Sequence, residues 1–334
     1  MPKVSVVMAV YNGEAYLSEA IVSILTQTLA DFEFLVVDDG SQDASAQIIQ
    51  GWQQRDERIR LLRMRRNMGM ADARNRGIEA AAGAYITFMD CDDISLPKRL
   101  EKQVAFLEAH PEIGGVGTEG ELVDKDLSQT LYRFRLPQQH ALILFDMLGG
   151  VSFIYTTVMF RRELLQAVGG YEAGRRSGEE RELPWRMLKQ TSIQFANLPE
   201  SLYRYRRHEH SHSATRSQVP QHQAQADEIK ARILRELWGE APLASLDRLQ
   251  RMAKGQRLDW AERRRARRDM ERLIDALLVK SLVAPHDKAL LTAEMRRRLE
   301  RMMPRWARKL SQWRRTGFHR RVQPAASGDE PDAG

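Results

Sequence analysis

Cysteine is nearly absent from this sequence: Cys91 is the only cysteine among 334 residues. A single thiol excludes an intramolecular disulfide, and such scarcity is typical of a reducing compartment. Two nucleotide-binding signatures are also missing. The turn at residues 11–16 reads Tyr-Asn-Gly-Glu-Ala-Tyr, not the Gly-x-Gly-x-x-Gly of a nicotinamide-dependent oxidoreductase, and there is no Gly-x-x-x-x-Gly-Lys loop of a P-loop nucleotide hydrolase. These absences exclude both classes.

Long apolar runs are missing as well. The best candidate for a membrane span, residues 141–160, contains Asp146 and two glycines and closes on two arginines. A span needs about 20 consecutive apolar residues, so we predict a helix, a turn and a buried strand here. The first residues lack a basic segment followed by an apolar one, and we expect no signal peptide. The expected location is therefore cytoplasmic.

Charge is unevenly distributed along the chain. Residues 1–224 hold 26 Lys and Arg against 29 Asp and Glu, whereas residues 225–322 hold 26 against 13. A near-neutral body, long enough to bury a full core, is thus followed by a basic extension. The overall charge of +7 conceals this difference. Residues 323–334 have no apolar periodicity, and we predict that they are disordered.

The most informative segment is residues 87–93, Thr-Phe-Met-Asp-Cys-Asp-Asp, where an apolar strand ends in three carboxylates. Asp90 and Asp92 are two residues apart, so in an extended backbone their side chains leave the same face. Carboxylates this close repel each other unless a cation such as Mg²⁺ or Mn²⁺ binds them, and such a cation keeps open positions for substrate phosphates. The alternative is a solvated turn or a helix cap.

Strand and helix signals alternate through the body of the chain. Strand-like runs occupy residues 4–10, 32–37, 60–62 and 84–89, and segments with one apolar face at helical spacing lie between them. This alternation predicts a sheet with crossover helices. Open α/β sheets bind ligands at the carboxyl ends of their strands, which is where the acidic segment lies.

Four ordered motifs carry a more specific signal. They are Val-Ser-Val-Val-Met-Ala-Val-Tyr-Asn-Gly (4–13), Val-Val-Asp-Asp-Gly-Ser (36–41), Ala-Arg-Asn-Arg-Gly-Ile (73–78) and Phe-Met-Asp-Cys-Asp-Asp (88–93). In this order and spacing the sequence resembles the family 2 glycosyltransferases, and the likeness continues to about residue 215. The resemblance implies an α/β, Rossmann-like GT-A domain at residues 1–222 and inverting, metal-dependent transfer from a nucleoside-diphosphate sugar. We expect a mostly helical basic extension at residues 223–322.

The resemblance also implies roles for single residues. Ala9 and Tyr11, at the end of the first strand, would line the nucleotide site, with the Tyr11 ring stacked on the base. The other residues implied in nucleotide-sugar binding are Asp39, Arg74, Asp90 and His208. Asp92 and Asp90 would hold Mg²⁺ or Mn²⁺, with Asp92 as the direct ligand. A packed aromatic ring and ordinary surface side chains are the structural alternatives.

An inverting transferase also needs a general base that takes the proton of the acceptor hydroxyl. Relatives supply it from a Glu-Asp pair, and the matching stretch here is Ser-Gly-Glu-Glu-Arg-Glu-Leu-Pro-Trp-Arg at residues 177–186. Glu180 stands where relatives have the aspartate and is the predicted base. Glu179 and Glu182 are alternative bases, and a solvated acidic helix start is the structural alternative. Pro184 departs from the relatives, because a proline removes a helix donor, and it could be tolerated in the first helical turn.

Histidines cluster after the last predicted strand of the body. His208 aligns with a histidine often seen in relatives and could contact the diphosphate. His208, His210 and His212 could instead form a zinc cluster, although no cysteine ligands accompany them. Cys91 is interpreted as a filler, because in extended backbone its side chain points away from the two neighbouring aspartates.

The basic extension combines apolar stripes with clusters of arginine. The stripes are Ile233-Leu234-Leu237-Trp238 and Leu273-Ile274-Leu277-Leu278, and the arginine-rich segments are residues 263–265, 296–298 and 305–315. The combination fits an anchor on an anionic membrane surface or a helical subdomain packed on the catalytic core. Nucleic-acid binding is a third interpretation of the charge, but no recognisable module supports it, and we expect no specific nucleic acid.

The sequence therefore predicts an enzyme that moves a sugar, with inversion, from a nucleoside-diphosphate sugar to a hydroxyl of a saccharide or lipid-linked acceptor. The expected setting is cell-surface polysaccharide or glycan synthesis, with the enzyme peripheral on the inner face of the cytoplasmic membrane. The alternative is a non-catalytic GT-A-like scaffold that binds nucleotide or glycan, as the departures at Glu180 and Pro184 would allow.

Overall fold

The computed structural model describes residues 1–175, 177–209, 211, 219–240, 243–253 and 256–301. Within these ranges no helix has both the length and the apolar character needed to cross a bilayer. Residues 141–160 instead contribute to a helix (His140–Gly149), a short 3-10 turn (Tyr155–Thr157) and a buried strand (Met159–Arg161), which confirms the interpretation from sequence. The predicted disordered tail and the arginines at 305–315 lie outside the described residues.

The first half of the sheet is parallel. Its strands are β1 (Val4–Val10), β2 (Phe32–Asp38), β3 (Ile59–Arg63) and β4 (Tyr85–Asp90), and the crossover helices are α1 (Leu17–Leu25), α2 (Ser45–Gln53) and α3 (Met70–Ala80). The spatial order is β3-β2-β1-β4. β1 and β2 are almost wholly buried, as expected for strands that helices cover on both faces. The four strands match the predicted runs.

The second half of the sheet mixes strand directions. The elements are β5 (Ile94–Ser95), α4 (Arg99–Ala109), β6 (Ile113–Val123), β7 (Thr130–Phe134), α5 (His140–Gly149), β8 (Met159–Arg161), α6 (Arg162–Ala167), α7 (Glu179–Gln190) and β9 (Gln194–Arg206). The order continues from β4 through β8, β6 and β9 to β5, and β7 pairs with β6. β5 pairs antiparallel with the end of β9. This pairing brings the end of β9 beside the acidic segment that follows β4.

The extension forms helices α8 (Pro220–Trp238), α9 (Leu243–Ala253), α10 (Trp260–Val279) and α11 (Asp287–Arg301). Their apolar side chains share one core cluster with α3, α5, α7 and one face of the sheet. Polar contacts cross the same boundary: Trp185 Nε1 donates to Glu236 Oε2 at 2.6 Å, and Arg298 Nη2 lies 2.5 Å from Asp146 Oδ1. The described part of the extension is therefore packed on the catalytic core.

The two apolar stripes of the extension are consequently buried in protein. Ile233, Leu234, Leu237, Leu273, Ile274 and Leu277 are all buried, and Trp238 and Leu278 pack against the same cluster. An anchor in which these stripes enter a membrane is therefore wrong, because the stripes are already buried in one core cluster, packed against α7 and against each other. The helical subdomain packed on the core is confirmed for the described helices.

Gly77 lies where α3 crosses β1. A Cβ at this position would come 2.3 Å from Val7 Cγ1, whereas a Cβ at Gly51 of α2 would have nothing within 4 Å. We expect Gly77→Ala to lower the free energy of unfolding by about 1–3 kcal/mol through overpacking. Gly51→Ala should raise it by about 0.5–1 kcal/mol, because alanine favours the helix. Urea unfolding of both variants tests this, and a stabilising Gly77→Ala would contradict the packing.

His140, at the start of α5, links that helix to β9 and to the residues after α10. Its Nδ1 accepts from the Phe195 amide and its Nε2 donates to the Leu282 carbonyl, both at 3.1 Å. Burial lowers the pKa of His140 from 6.5, so near and below that pH the unfolded chain binds more protons than the folded one. We therefore expect stability to fall as pH drops through about 6.5, and to fall less in His140→Gln. Thermal midpoints measured across pH 5–8 check this, and parallel curves for the two proteins would contradict it.

Candidate active site

Three polar loops meet at one edge of the sheet, where β1, β2 and β4 end side by side. Ala9 of β1 is in register with Asp90 of β4. The loops after β1 and β2 are tied together, since the Asn12 amide donates to Ser41 Oγ at 3.1 Å and the Gln42 amide donates to Asn12 Oδ1 at 2.9 Å. Asn12 has φ of 52°, a left-handed conformation that asparagine tolerates. These bonds hold the edge in one shape.

Tyr11 is the exposed aromatic residue of this edge. Its relative exposure is 46%, and it directly follows β1, while Ala9 is half-buried two residues earlier. The ring thus stands open to solvent beside the strand that carries the acidic segment. Ala9 and Tyr11 thus lie at the strand end beside the acidic segment, and nucleotide binding there stays a prediction.

Asp38 and Asp39 have different surroundings at the end of β2. Asp38 Oδ1 accepts from the Ser41 amide at 2.9 Å, which closes the turn. Asp39 is buried, and its two oxygens accept from the Met68 and Gly69 amides at 2.7 and 2.8 Å. Asp39 therefore fixes the loop that leads into α3, a contact across 29 residues that the sequence analysis missed.

Arg74 lies underneath the acidic segment. Its side chain is only 3% exposed, and its Nη2 lies 3.1 Å from Asp90 Oδ1. The guanidinium is also within 6 Å of the ring centres of Phe88, Tyr155 and Tyr171, an arrangement that favours a cation. In the structure Arg74 is therefore the ion-pair partner of Asp90. From the sequence we expected Arg74 to contact the base or the diphosphate of the nucleotide.

The electrostatics of Asp90 reflect crowded negative charge. Burial raises the pKa of Asp90 to about 6; Arg74 opposes this rise, and the charges of Asp92 and Glu179 add to it. An acid this close to a second carboxylate resists ionisation. A divalent cation between the two acids would reverse that balance by stabilising both ionised forms.

Asp92 stands beside His208. His208 Nε2 lies 2.9 Å from Asp92 Oδ2, and its ring also packs on Tyr16, with 4.8 Å between ring centres. Oxygen atoms of Asp90, Asp92 and Asp93 all lie within 4.8 Å of one another. Asp90 and Asp92 are only half-buried, so their carboxylates fit Mg²⁺ or Mn²⁺, which prefer oxygen ligands and retain positions for other oxygens.

Asp93 and Arg206 build the wall behind this cluster. Asp93 is buried and accepts from the Tyr203 hydroxyl at 2.7 Å and the Arg206 amide at 2.8 Å. The Arg206 guanidinium donates to the Asp92 carbonyl at 2.8 Å and lies 4.4 Å from the Tyr16 ring centre. Asp93 therefore holds β9 in place. Sequence analysis missed Arg206, although its position in an arginine-rich strand end was a usable signal.

Helix α7 carries the acidic residues considered as bases. It begins after Gly178, whose φ is 85°. Glu180 is half-buried, with Oε1 2.6 Å from Arg181 Nη1. Glu179 is buried, and its charge acts on Asp90 and Arg74. Both acids therefore stand at the end of α7 that faces the site, Glu179 towards the carboxylate cluster and Glu180 beside Arg181.

Two details of α7 correct the sequence analysis. Glu182 is buried and ion-paired with Arg186 at 2.8 Å, which makes it a structural residue. Pro184 lies inside the helix, not in its first turn, and α7 continues to Gln190. Because proline has no amide hydrogen, it offers no helical hydrogen bond to the carbonyl of Glu180, four residues earlier. The helix is thus irregular beside the predicted base.

Cys91 packs against the loop after β1. A Cβ at Gly13 would come 2.8 Å from its Sγ, and burial, with the nearby aspartates, raises the pKa of the thiol well above its usual value. This environment suits the filler role predicted for Cys91. His210 and His212, the other members of the suggested zinc cluster, lie outside the described residues.

Fold and site together define a class of protein. An open α/β sheet places two half-buried carboxylates and an exposed tyrosine at neighbouring strand ends, which suits a divalent cation and a phosphorylated ligand. Strand directions are mixed in the second half of the sheet, and a helical region packs on the sheet. This combination is the GT-A architecture of nucleotide-sugar transferases.

The comparisons identify the family. The model of glycosyl transferase family 2 matches residues 5–169. A protein named as glycosyltransferase EpsE, from Bacillus subtilis, is 36% identical over 209 residues, which are 61% of this chain and 73% of EpsE. The B. subtilis protein TuaG, named for teichuronic acid biosynthesis, is 39% identical over 106 residues, 32% of this chain and 42% of TuaG. This chain belongs to glycosyl transferase family 2.

Solved structures confirm the GT-A fold of the sheet domain. S. aureus TarS 1–349 in complex with UDP-GlcNAc superposes with a TM-score of 0.58 at 20% identity, covering 96% of this chain and 93% of that one. The mannosyltransferase PcManGT from Pyrobaculum calidifontis, in complex with GDP-Man and Mn²⁺, superposes with a TM-score of 0.55 at 18% identity, covering 96% and 88%. With 96% of the chain covered, both alignments reach into the helical extension.

The carboxylate cluster makes a first prediction about ligands. Wild-type protein should gain a few degrees in thermal midpoint from UDP or GDP only when Mn²⁺ is present, because a ligand of the folded state stabilises it by mass action. Asp92→Asn should lose this metal-dependent gain. Asp126→Asn, an exposed aspartate in the turn after β6, is the matched control. An undiminished gain in Asp92→Asn would remove Asp92 from the metal site.

Proposed function

We propose that this chain is an inverting, metal-dependent glycosyltransferase that moves a sugar from a nucleoside-diphosphate sugar to a hydroxyl of a saccharide or lipid-linked acceptor. The observation that carries the proposal is the pair of half-buried carboxylates, Asp90 and Asp92, in a cluster whose oxygens lie within 4.8 Å at the carboxyl end of β4. The complexes of TarS with UDP-GlcNAc and of PcManGT with GDP-Man and Mn²⁺ support this class of donor and cofactor.

In this proposal Ala9, Tyr11 and Asp39 bind the nucleoside. Tyr11 covers the base with its exposed ring, and Asp39 shapes the neighbouring loop through the Met68 and Gly69 amides. Asp92 and Asp90 hold Mg²⁺ or Mn²⁺, which when bound neutralises charge on the departing diphosphate.

Arg74 and His208 complete the donor site as positioning residues. Arg74 opposes the rise in the pKa of Asp90 and orients its carboxylate from below, at 3.1 Å. His208 lies 2.9 Å from Asp92, and in this proposal it turns towards a phosphate oxygen.

Glu180 is the proposed general base. It accepts the proton of the acceptor hydroxyl while that oxygen bonds to the anomeric carbon and the bond from this carbon to the diphosphate breaks, so the sugar inverts. Arg181 fixes its position, since it also donates to the carbonyls of Met147 and Gly150. Glu179 is the competing candidate, because its charge acts directly on the donor cluster.

The proposed setting is cell-surface polysaccharide synthesis on the cytoplasmic side of a membrane. Support comes from the name of TuaG, which refers to teichuronic acid biosynthesis. The acceptor would approach α7 from the side of Glu180. A non-catalytic scaffold that kept the donor site is the second candidate, favoured by the unusual Glu180 and by Pro184 within α7.

Substituting Glu180 and Glu179 of α7, one at a time, tests which of them is the general base. We expect Glu180→Gln to lower sugar transfer about 100- to 10,000-fold, the usual contribution of a general base, while the metal-dependent nucleotide shift persists. Glu180→Asp should retain more activity than Glu180→Gln, because it keeps a carboxylate. The measurement is release of nucleoside diphosphate from UDP-GlcNAc and GDP-Man, with mixed glycan and polyprenyl-phosphate acceptors.

Two further variants make the result decisive. Glu163→Gln, at the exposed start of α6, should behave as wild type. If Glu179→Gln abolishes transfer and Glu180→Gln does not, the base is Glu179. Nucleotide binding by wild type, without transfer from either donor, would favour the scaffold.

A further inference from the structure

The outward side of α10 is a separate feature that sugar transfer does not use. Five exposed residues define it, and we call them the cationic face: Trp260, Arg264, Arg265, Arg267 and Arg268. Trp260 is 70% exposed. The opposite side of the same helix is buried against the other helices through Ala266, Met270, Leu273, Ile274 and Leu277. The orientation of α10 is therefore fixed by its apolar side, and the cationic face must point to solvent.

Helical spacing aligns the cationic face along one line. Trp260, Arg264 and Arg268 are four residues apart, so they stand above one another over about 12 Å of helix. The Arg264 guanidinium lies 5.8 Å from the centre of the Trp260 ring. A large exposed ring is thus bordered by fixed positive charge.

Three of the four acids between residues 259 and 271 are engaged elsewhere. Asp259 caps α10 by accepting from the Glu262 amide, and Glu262 is paired with Arg251 at 2.6 Å. Asp269 is paired with Arg248 at 2.7 Å. Glu271 does pair with a member of the face, Arg267, at 2.8 Å. Within the part of the chain that the structure describes, no acid pairs with Arg264, Arg265 or Arg268, so their charge can attract an external anion.

We propose that the cationic face of α10 docks the protein on an anionic lipid bilayer. Tryptophan favours the interface between headgroups and hydrocarbon, where its ring is partly buried and its N–H stays solvated. Arginines beside it pair with lipid phosphates. Because the apolar side of α10 is already packed on protein, the contact is superficial and reversible, unlike the insertion of an apolar stripe.

The expected binding is weak and electrostatic. Each basic side chain near an anionic surface strengthens binding roughly fivefold. Screening at an ionic strength of about 1 M, where the Debye length is about 3 Å, should abolish it. Nucleic acid also binds arginine and stacks on aromatic rings, so polynucleotide belongs in the test as the competing outcome.

Co-sedimentation of the purified full chain with vesicles tests the proposal. One vesicle type contains phosphatidylglycerol in phosphatidylcholine, and the other phosphatidylcholine alone. Wild type should bind only the first. Arg264→Ala with Arg268→Ala should weaken binding about 10- to 30-fold, and Trp260→Ala about 3- to 10-fold through lost apolar burial.

Matched controls separate the effect of the cationic face from the effects of net charge and of nonspecific hydrophobic adsorption. Arg76→Ala with Arg133→Ala removes the same charge from two exposed arginines of the catalytic domain, and Leu243→Ala removes an apolar side chain as exposed as Trp260. Both should bind as wild type. Equal weakening by the two arginine pairs would reduce the effect to net charge and overturn the proposal.

Two other outcomes would also overturn it. Binding that is unchanged in the Trp260 and Arg264/Arg268 variants would place any lipid contact outside the cationic face. Salt-sensitive binding to single-stranded polynucleotide, without binding to anionic vesicles, would replace the bilayer with nucleic acid. These results do not depend on sugar transfer, which the nucleotide and turnover measurements test separately.

Discussion

Three carboxylates whose oxygens lie within 4.8 Å of one another repel strongly, and this repulsion is the constraint on which the site depends. The fold offsets this repulsion by giving each acid a separate partner. Arg74 supports Asp90 from the core, His208 lies against Asp92 while packed on Tyr16, and β9 covers the third acid with donors. The partners come from two distant parts of the chain, α3 and the end of β9 with the residues after it, so the acidic cluster also ties α3, β4 and β9 together.

The extension takes part in this arrangement through α7. Trp185 of α7 donates to Glu236 of α8, and Arg232 of α8 lies 3.4 Å from Glu182. The helix that carries the proposed base is thus held from one side by α5 and the residues after α6 and from the other by the extension. Misplacement of a catalytic group by about 1 Å is costly, so packing of the extension bears directly on catalysis.

Predictions from local pattern succeeded where local pattern determines structure. The four parallel strands followed from runs of apolar residues, and the acidic segment followed from the alternation of side chains in extended backbone. The apolar stripes of the extension were also recognised correctly as helical. Their partner was not predictable, because an apolar stripe favours burial equally in lipid or in protein, and only the packed neighbours decide between them.

By itself the sequence determined the family, the strand that ends in carboxylates and the division into a neutral body and a basic extension, because composition and short-range spacing specify these. Tertiary structure decided what each polar side chain contacts. Asp39 meets amides 29 residues away, and Asp93 meets an amide 113 residues away. Such contacts depend on strand order and register, which long-range packing selects and no local pattern encodes.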